Sequence, residues 1–474
     1  MRAAQAMLVF TCVACEPAPE EREFANVEPT QSHLIGGAGF QAVTALASRD
    51  DLVVVGGGFT EELTFADTIF ATAGSDSDGF VLGMSPDGRV RFAHQLAGTG
   101  DDLIEHVSVN EAGEILLGGR VTESVRVADQ PLAARTSWTA LVAKLYADGS
   151  PAWSVTSSGD GIHRISALAA AGDGELYAGG DFTGNLGFGG EVLAAENAGD
   201  AFLARFAADG EPLWLISLEG DGAQIVHDLR VANDGSVLLA GSYAASLLLG
   251  GREYPRNPSF DRTPFVALIT AEGDVRWVQA GLTAVDPHQD HIDHSGAGAA
   301  DGTDGGVSLH APNLFDRIRI ATGPDERVLT VATYGHYTGL HSQSFEAPTA
   351  SALLINELSA DGELVSRQSS EAPHSLFQFA ALVAAQSEMQ LAASFSGELE
   401  IAGHKDPDSG ARKLLFATLN GQGALENPRK FTVNDVSLSM TDAVAGSGGA
   451  LWVAARWSDP LVPGDDAWLG RFEP

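Results

Sequence analysis

The sequence predicts an all-β fold, a single β-propeller of seven four-stranded blades, and three observations carry it. A strand–turn–strand unit recurs at nearly constant spacing. Glycine is abundant, 55 of 474 residues, and it punctuates short apolar runs. The two ends of the chain align with neighbouring pieces of one repeat.

The recurring unit is an apolar strand, an Asp-Gly or similar turn, and a strand bearing an aromatic residue. It runs from Phe80-Val81-Leu82 through Asp87-Gly88 to Phe92, and from Leu141-Val142-Ala143 through Asp148-Gly149 to Trp153. It returns from Phe202-Leu203-Ala204 through Asp209-Gly210 to Trp214, and from Phe265-Val266-Ala267 through Glu272-Gly273 to Trp277. Weaker copies lead from Leu353-Leu354-Ile355 to Asp361-Gly362 and from Leu414-Leu415-Phe416 to Gly423, so the turn glycines step by 61, 61, 63, 89 and 61 residues. Apolar runs of strand length flanking Asp-Gly are a strong hairpin signal, because the glycine takes the positive φ of a tight turn. A second hairpin follows in each copy, as in Gly113 to Gly119, Gly174 to Gly180 and Gly235 to Gly241. Two hairpins give four strands, and such a unit buries both faces only by stacking radially on its neighbours. The identical placement of Trp153, Trp214 and Trp277 predicts packing between blades.

The chain ends predict how the ring closes. Residues Ser32 to Leu46 align without gaps to Leu215 to Leu229, matching Gly37 with Gly220, Gly39 with Gly222 and Gln41 with Gln224. The C-terminal Ala467 to Phe472 matches Ala201 to Phe206, a third strand. The N-terminal segment therefore supplies the fourth strand of the last blade, which leaves no open edge.

Asp200-Ala201-Phe202-Leu203-Ala204-Arg205-Phe206, followed by Asp209-Gly210 and Trp214, resembles the SBBP-type β-propeller repeats of bacterial surface and secreted proteins. The resemblance extends over roughly residues 33 to 474 and implies a fold; that family shares no common reaction. A fainter resemblance, to the Trp-docked propellers of quinoprotein dehydrogenases, departs at the Thr-Gly expected before the Trp.

The N-terminus has the pattern of an export signal. Arg2 precedes an apolar stretch from Ala3 to Ala14, too short to span a bilayer as a helix. The ending Val13-Ala14-Cys15 is similar to the lipobox of bacterial lipoproteins, with Cys12 standing where that family usually has Leu. The resemblance implies a signal peptide over 1–14 and lipid attachment at Cys15, in the outer or cytoplasmic membrane, with a soluble secreted protein as the alternative. Residues 15–31 are acidic and Pro-rich, the composition of a solvated tether, and 32–474 form the propeller. Cys12 and Cys15 are the only cysteines, so the folded body has no internal disulfide.

The 89-residue step marks an inserted loop at about 284–312. It carries His288, Asp290, His291, Asp293 and His294, then a Gly- and Asp-rich stretch. Imidazoles spaced by three residues among carboxylates form a candidate site for a divalent metal, Zn or Ca, and the same composition equally makes a solvated polar loop. No other cofactor is indicated.

Sixty-three acidic against 27 basic residues give a formal net charge of −36. That field repels nucleic-acid backbones and anionic lipid surfaces, so nucleic acid is set aside as a partner and membrane contact is expected through the lipid alone. No Gly-x-Ser-x-Gly elbow, His-Glu-x-x-His helix, phosphate loop or Cys nucleophile is present in the sequence, so no catalytic residue is assigned. The sequence thus points to an envelope-anchored, monomeric binding or scaffold module, its protein or glycan ligand held on the loop-rich face. An exported enzyme acting on glycans or esters, and a metal-binding module using the His-rich insertion, are the alternatives.

Overall fold

The computed structural model describes residues 22–474 apart from residues 73–75, 128–129, 136, 196–198, 258–260, 283–313, 323–326, 337–349, 373, 386–387, 408–411, 421–422, 434–435, 459–465 and 474. Among the described residues, strands pair in chain order into seven four-stranded antiparallel units. Sheet 1 holds Gln41–Arg49, Leu52–Thr60, Ser77–Met84 and Val90–Gly98. Sheet 2 holds Leu103–Val109, Ile115–Val121, Thr139–Leu145 and Pro151–Thr156. Sheet 3 holds His163–Ala170, Leu176–Phe182, Asp200–Phe206 and Pro212–Leu218. Sheet 4 holds Gln224–Val231, Val237–Tyr243, Thr263–Ile269 and Val275–Ala280. Sheet 5 holds Leu314–Thr322, Val328–His336, Ala350–Leu358 and Leu364–Ala372. Sheet 6 holds His374–Ala385, Glu388–Ile401, Lys413–Leu419 and Leu425–Phe431. Sheet 7 holds Ser437–Ala445, Leu451–Ser458 and Asp466–Phe472, completed by the N-terminal Gln31–Ile35.

The first strand of each sheet packs against that of the next, and the first strand of sheet 7 returns to sheet 1. This is a closed β-propeller. Its closing strand pairs antiparallel in the register Gln31 to Arg471 through Ile35 to Ala467, as the alignment of the chain ends predicts.

Alternation along each strand serves two interfaces at once. In Asp200–Phe206, Phe202, Ala204 and Phe206 join Leu116 and Val142 of sheet 2, whereas Ala201 and Leu203 join Val226 and Leu239 of sheet 4. Each fully buried Phe contributes about 1.5–3 kcal/mol. The repeated tryptophans cap these interfaces. Trp153 Nε1 donates to Ala208 O at 2.9 Å, Trp214 Nε1 to Ala271 O at 2.8 Å and Trp277 Nε1 to Ala360 O at 2.9 Å, each reaching the Gly-containing turn of the next sheet.

Two features depart from the sequence expectation. The long connections between second and third strands are themselves hairpins, namely Glu62–Phe65 with Thr68–Ala71, Ser124–Val127 with Gln130–Ala133, Asn185–Phe188 with Glu191–Ala194, and Ser246–Leu249 with Arg252–Pro255. Each clasps the end of the preceding sheet's outer strand: Thr64 bridges Gly36, Val125 pairs with Gly98, Asn185 with Asp160, and Leu248 bridges Glu219. The second departure is a correction to the tether. Arg22–Glu23 pairs parallel with His404 and Lys405, and Ala25–Asn26 with Arg429 and Lys430. Phe24 between them is 3 % exposed and lies 6.4 Å from Phe395, ring centre to ring centre. Phe24, together with the paired backbone and the partly buried Val27, seats this polar stretch on sheet 6.

Candidate functional site

The first strands line the axis of the ring, and six of them depart from regular pairing at one point. The ladder passes over Thr44, Glu105, Ser166, His227, Gln378 and Thr441, leaving each as the extra residue of a β-bulge. In sheet 5 the irregularity falls between Phe315 and Ile318. A bulge re-aims a side chain while the flanking ladder stays intact.

Glycines opposite the bulge make it possible. A Cβ at Gly180 would stand 1.9 Å from Arg164 O of the bulged strand, and one at Gly119 would stand 2.0 Å from Leu103 O. Their neighbours Gly179 and Gly118 leave room for Val226 and Ile165 of the following sheet. The Gly-Gly pairs of the repeats are therefore packing requirements of the axial strands.

Thr44, Glu105, Ser166, His227 and Thr441 all face one axial cavity of about 600 Å³. That size falls within the roughly 300–1,000 Å³ of small-molecule sites. Apart from Phe40, just before sheet 1, and Arg456 on the second strand of sheet 7, its residues lie in the leading half or middle of the first strands of sheets 1, 2, 3, 4, 5 and 7, toward the end where the chain enters from the preceding sheet.

The cavity's charge is opposite in character to that of the whole chain, since Arg164, Arg317, Arg319 and Arg456 line it against Glu105 and Asp442. Structural carboxylates fix part of this set. Asp228, without exposed surface, accepts from Ile320 N at 2.9 Å and from Arg230 Nη1 at 2.9 Å. Asp442 accepts from Leu46 N at 2.8 Å and from Ala443 N at 3.0 Å. Each ties its sheet to the next. Arg319 reaches across, its guanidinium 3.8 Å from Asp228 and 4.0 Å from Asp442. Arg164 Nε donates to Asp181 at 2.7 Å.

The histidines register the local field. Desolvation, followed by the positive charge of Arg319, pushes His106 down to about 3. His227, which contacts Ser242 Oγ at 2.8 Å, is held well below the ordinary histidine value by desolvation and then by Arg317. Both imidazoles are neutral at physiological pH. Burial raises the Glu105 carboxyl, although Arg120 beside it opposes the shift. Glu105 Oε2 and His106 Nδ1 are buried atoms without a hydrogen-bond partner.

The site residues expected from sequence, Cys15 and His288, Asp290, His291, Asp293 and His294, lie outside the described residues. Among the described residues no group of three or more His, Cys, Asp or Glu side chains is arranged to hold a metal ion. The bulge residues and the channel arginines went unnoticed in the sequence. Their signal is a polar residue of changing identity after a constant apolar one: Val43-Thr44, Ile104-Glu105, Ile165-Ser166, Val226-His227 and Met440-Thr441.

The strand pairing, ring closure and axial cavity define a β-propeller protein. No family model matches the chain, and no curated protein matches it. Among solved structures it is similar to a protein of unknown function from Dyadobacter fermentans, at 10 % identity over 94 % of this chain and 99 % of that one, with a TM-score of 0.42. It is also similar to Sqt1 from Chaetomium thermophilum, at 10 % identity over 96 % and 99 % of the two chains and a TM-score of 0.41. YCF48 bound to a D1 peptide matches at 10 % identity over 97 % and 100 %, with a TM-score of 0.42. Likenesses of this strength carry no argument about activity, and the fold assignment rests on the chain's own pairing.

Proposed function

We propose that this chain is an exported binding module of the bacterial envelope, anchored through a lipid on Cys15, whose protein or glycan ligand enters the axial cavity. The observation that carries the reading is the set of bulges. One framework position holds Thr44, Glu105, Ser166, His227 and Thr441 in successive sheets, and all five face one cavity. A constant scaffold presenting unlike polar groups toward one space is the arrangement of a recognition site. The resemblance to SBBP-type repeats and the lipobox-like Val13-Ala14-Cys15 support export. The test is an array of bacterial surface glycans and envelope proteins probed with the full chain. Ser166→Trp, which fills the cavity, is expected to abolish binding, whereas Asp148→Ala on the opposite rim leaves it intact. The reverse pattern would place the site on the wrong face.

A further inference from the structure

We infer that the outer edge of sheet 4 is a docking site separate from the axial cavity, and that it takes an extended peptide carrying an aromatic residue beside basic ones.

The site is a cleft of about 360 Å³ between the hairpin 246–255 of sheet 4, its outer strand Val275–Ala280 and the turn Asp361-Gly362-Glu363 of sheet 5. Arg252, Tyr254, Trp277, Asp361 and Glu363 line it. The corresponding gap is closed elsewhere in the ring. In sheet 1, Gln95 Nε2 of the outer strand donates to Ala71 O of the hairpin at 3.0 Å. In sheet 3, Leu215 N donates to Glu191 Oε2 at 3.1 Å. Among the described residues no hydrogen bond joins the sheet 4 hairpin to Val275–Ala280.

One residue makes the difference. Glu191 and Arg252 each follow the paired glycines of a hairpin turn, Gly189-Gly190 and Gly250-Gly251. Both turns lie against their own outer strands: a Cβ at Gly189 would stand 2.3 Å from Pro212 Cγ, and one at Gly250 2.9 Å from Val275 Cβ. A guanidinium cannot accept the bond that the Glu191 carboxylate accepts. Arg252 lies instead over Tyr254, 5.0 Å from its ring centre. Leu215 stands opposite Ala204, and Val278 holds the same register opposite Ala267, so the Val278 N–H points away from the sheet as that of Leu215 does. An outward N–H on an edge strand is the group to which an added strand pairs.

The molecule itself shows what such a place accommodates. On sheet 6, the space between the hairpin that pairs Ile401 with His404 and the outer strand Leu425–Phe431 is taken by the chain's own Arg22–Asn26. Phe24 N donates to Lys405 O at 3.3 Å, and its ring packs with Phe395, Leu399 and Ile401. The occupant there is an extended segment with one aromatic side chain. Charge sets the neighbours of that residue on sheet 4. Arg276 is paired with Asp234 at 2.6 Å, which leaves Arg252 against Asp361 and Glu363 and makes the cleft net negative. Basic residues complement it.

The experiment is fluorescence anisotropy of a labelled octapeptide, the sequence of residues 21–28 with its three glutamates replaced by lysine, titrated with the full chain at physiological salt. A peptide of the same charge, with alanine in place of the phenylalanine, is the control. The aromatic peptide is expected to bind at least tenfold tighter. Arg252→Glu gives sheet 4 the closure of sheet 3, and Val278→Pro removes the edge N–H; each is expected to weaken binding at least tenfold. Arg252 is exposed, so Arg252→Glu decides the matter if Val278→Pro lowers the melting temperature. Ser166→Trp, which fills the axial cavity, is expected to leave peptide binding unchanged, so this site stands or falls independently of the axial one. Loss of peptide binding in Ser166→Trp overturns the inference. Equal binding of the two peptides, no binding of either, or unchanged affinity in Arg252→Glu also overturns it.

Discussion

Asp102 has no exposed surface at the mouth of sheet 2, where its Oδ1 accepts from Thr122 N at 3.0 Å and its Oδ2 is left unpartnered. Desolvation, the largest cause, raises its carboxyl to about 8, and the nearby charges of Asp78 and Asp101 add to the shift. In the unfolded chain the group ionises at an ordinary carboxylate value. Between about 4 and 8 the folded state therefore holds more protons than the unfolded one, and stability falls as pH rises through that window before levelling above it. Asp102→Asn is expected to flatten this slope and to be more stable than the wild type at pH 9 by on the order of a few kcal/mol, with little difference at pH 4. Urea unfolding at both pH values checks it, and a parallel slope in the variant would place the titration elsewhere. At this scale the sequence was informative about Trp153, Trp214 and Trp277, whose constant place foretold the capping of the next sheet. It concealed the bulge residues, because an extra residue shifts the two-residue alternation by one and scrambles the pattern that marks a strand face.

The axial strands depend on small residues across the ladder. Gly180→Ala would set its Cβ against Arg164 O, whereas Gly172 has nothing within 4 Å of its Cβ position. The first substitution is expected to cost about 2 kcal/mol or more through overpacking, and Gly172→Ala to stay within about 0.5 kcal/mol. Equal shifts in the urea midpoint would mean that the bulged strand relaxes freely. The four clasp hairpins were hidden for a different reason. Their strands are four residues long, so Leu186 and Phe188 around Gly187 give too short an alternation to separate from a polar connection. What makes them fold is burial of Leu186 and Phe188, together with pairing of Asn185 to Asp160 in the short strand Ser158–Asp160 that follows the preceding outer strand. These are tertiary contacts that no local pattern carries.

Ring closure was legible because both chain ends match parts of one repeat, and the pairing of Leu34 with Trp468 fulfils it. Seating of the tether was not, because a lone Phe24 in a polar stretch has no periodicity to display. Deleting residues 31–36 should lower the melting temperature steeply, since it opens sheet 7 along a full strand. Phe24→Ala should cost a smaller amount, about 3 kcal/mol, through loss of its contacts with sheet 6. Equal losses would assign the tether the same structural weight as the closing strand. For the proposed anchor, Cys15→Ser is expected to move the protein from membrane to soluble fractions, and palmitate labelling of a retained variant would refute that attachment point. The formal charge of −36 described the chain as a whole and hid the sign of its axis, where arginines from three sheets meet.

The bulges also bear on how such a protein can change. Thr44, Glu105, Ser166, His227 and Thr441 are the positions that the ladders skip, so replacing one alters no pairing of the sheet. Backbone pairing and recognition are thereby written in different letters of the same strand. Drift or a mutagenic library confined to these five positions would sample new specificities one sheet at a time without altering the ladders, its stability cost set by lost side-chain contacts such as Glu105 with Arg120 and His227 with Ser242.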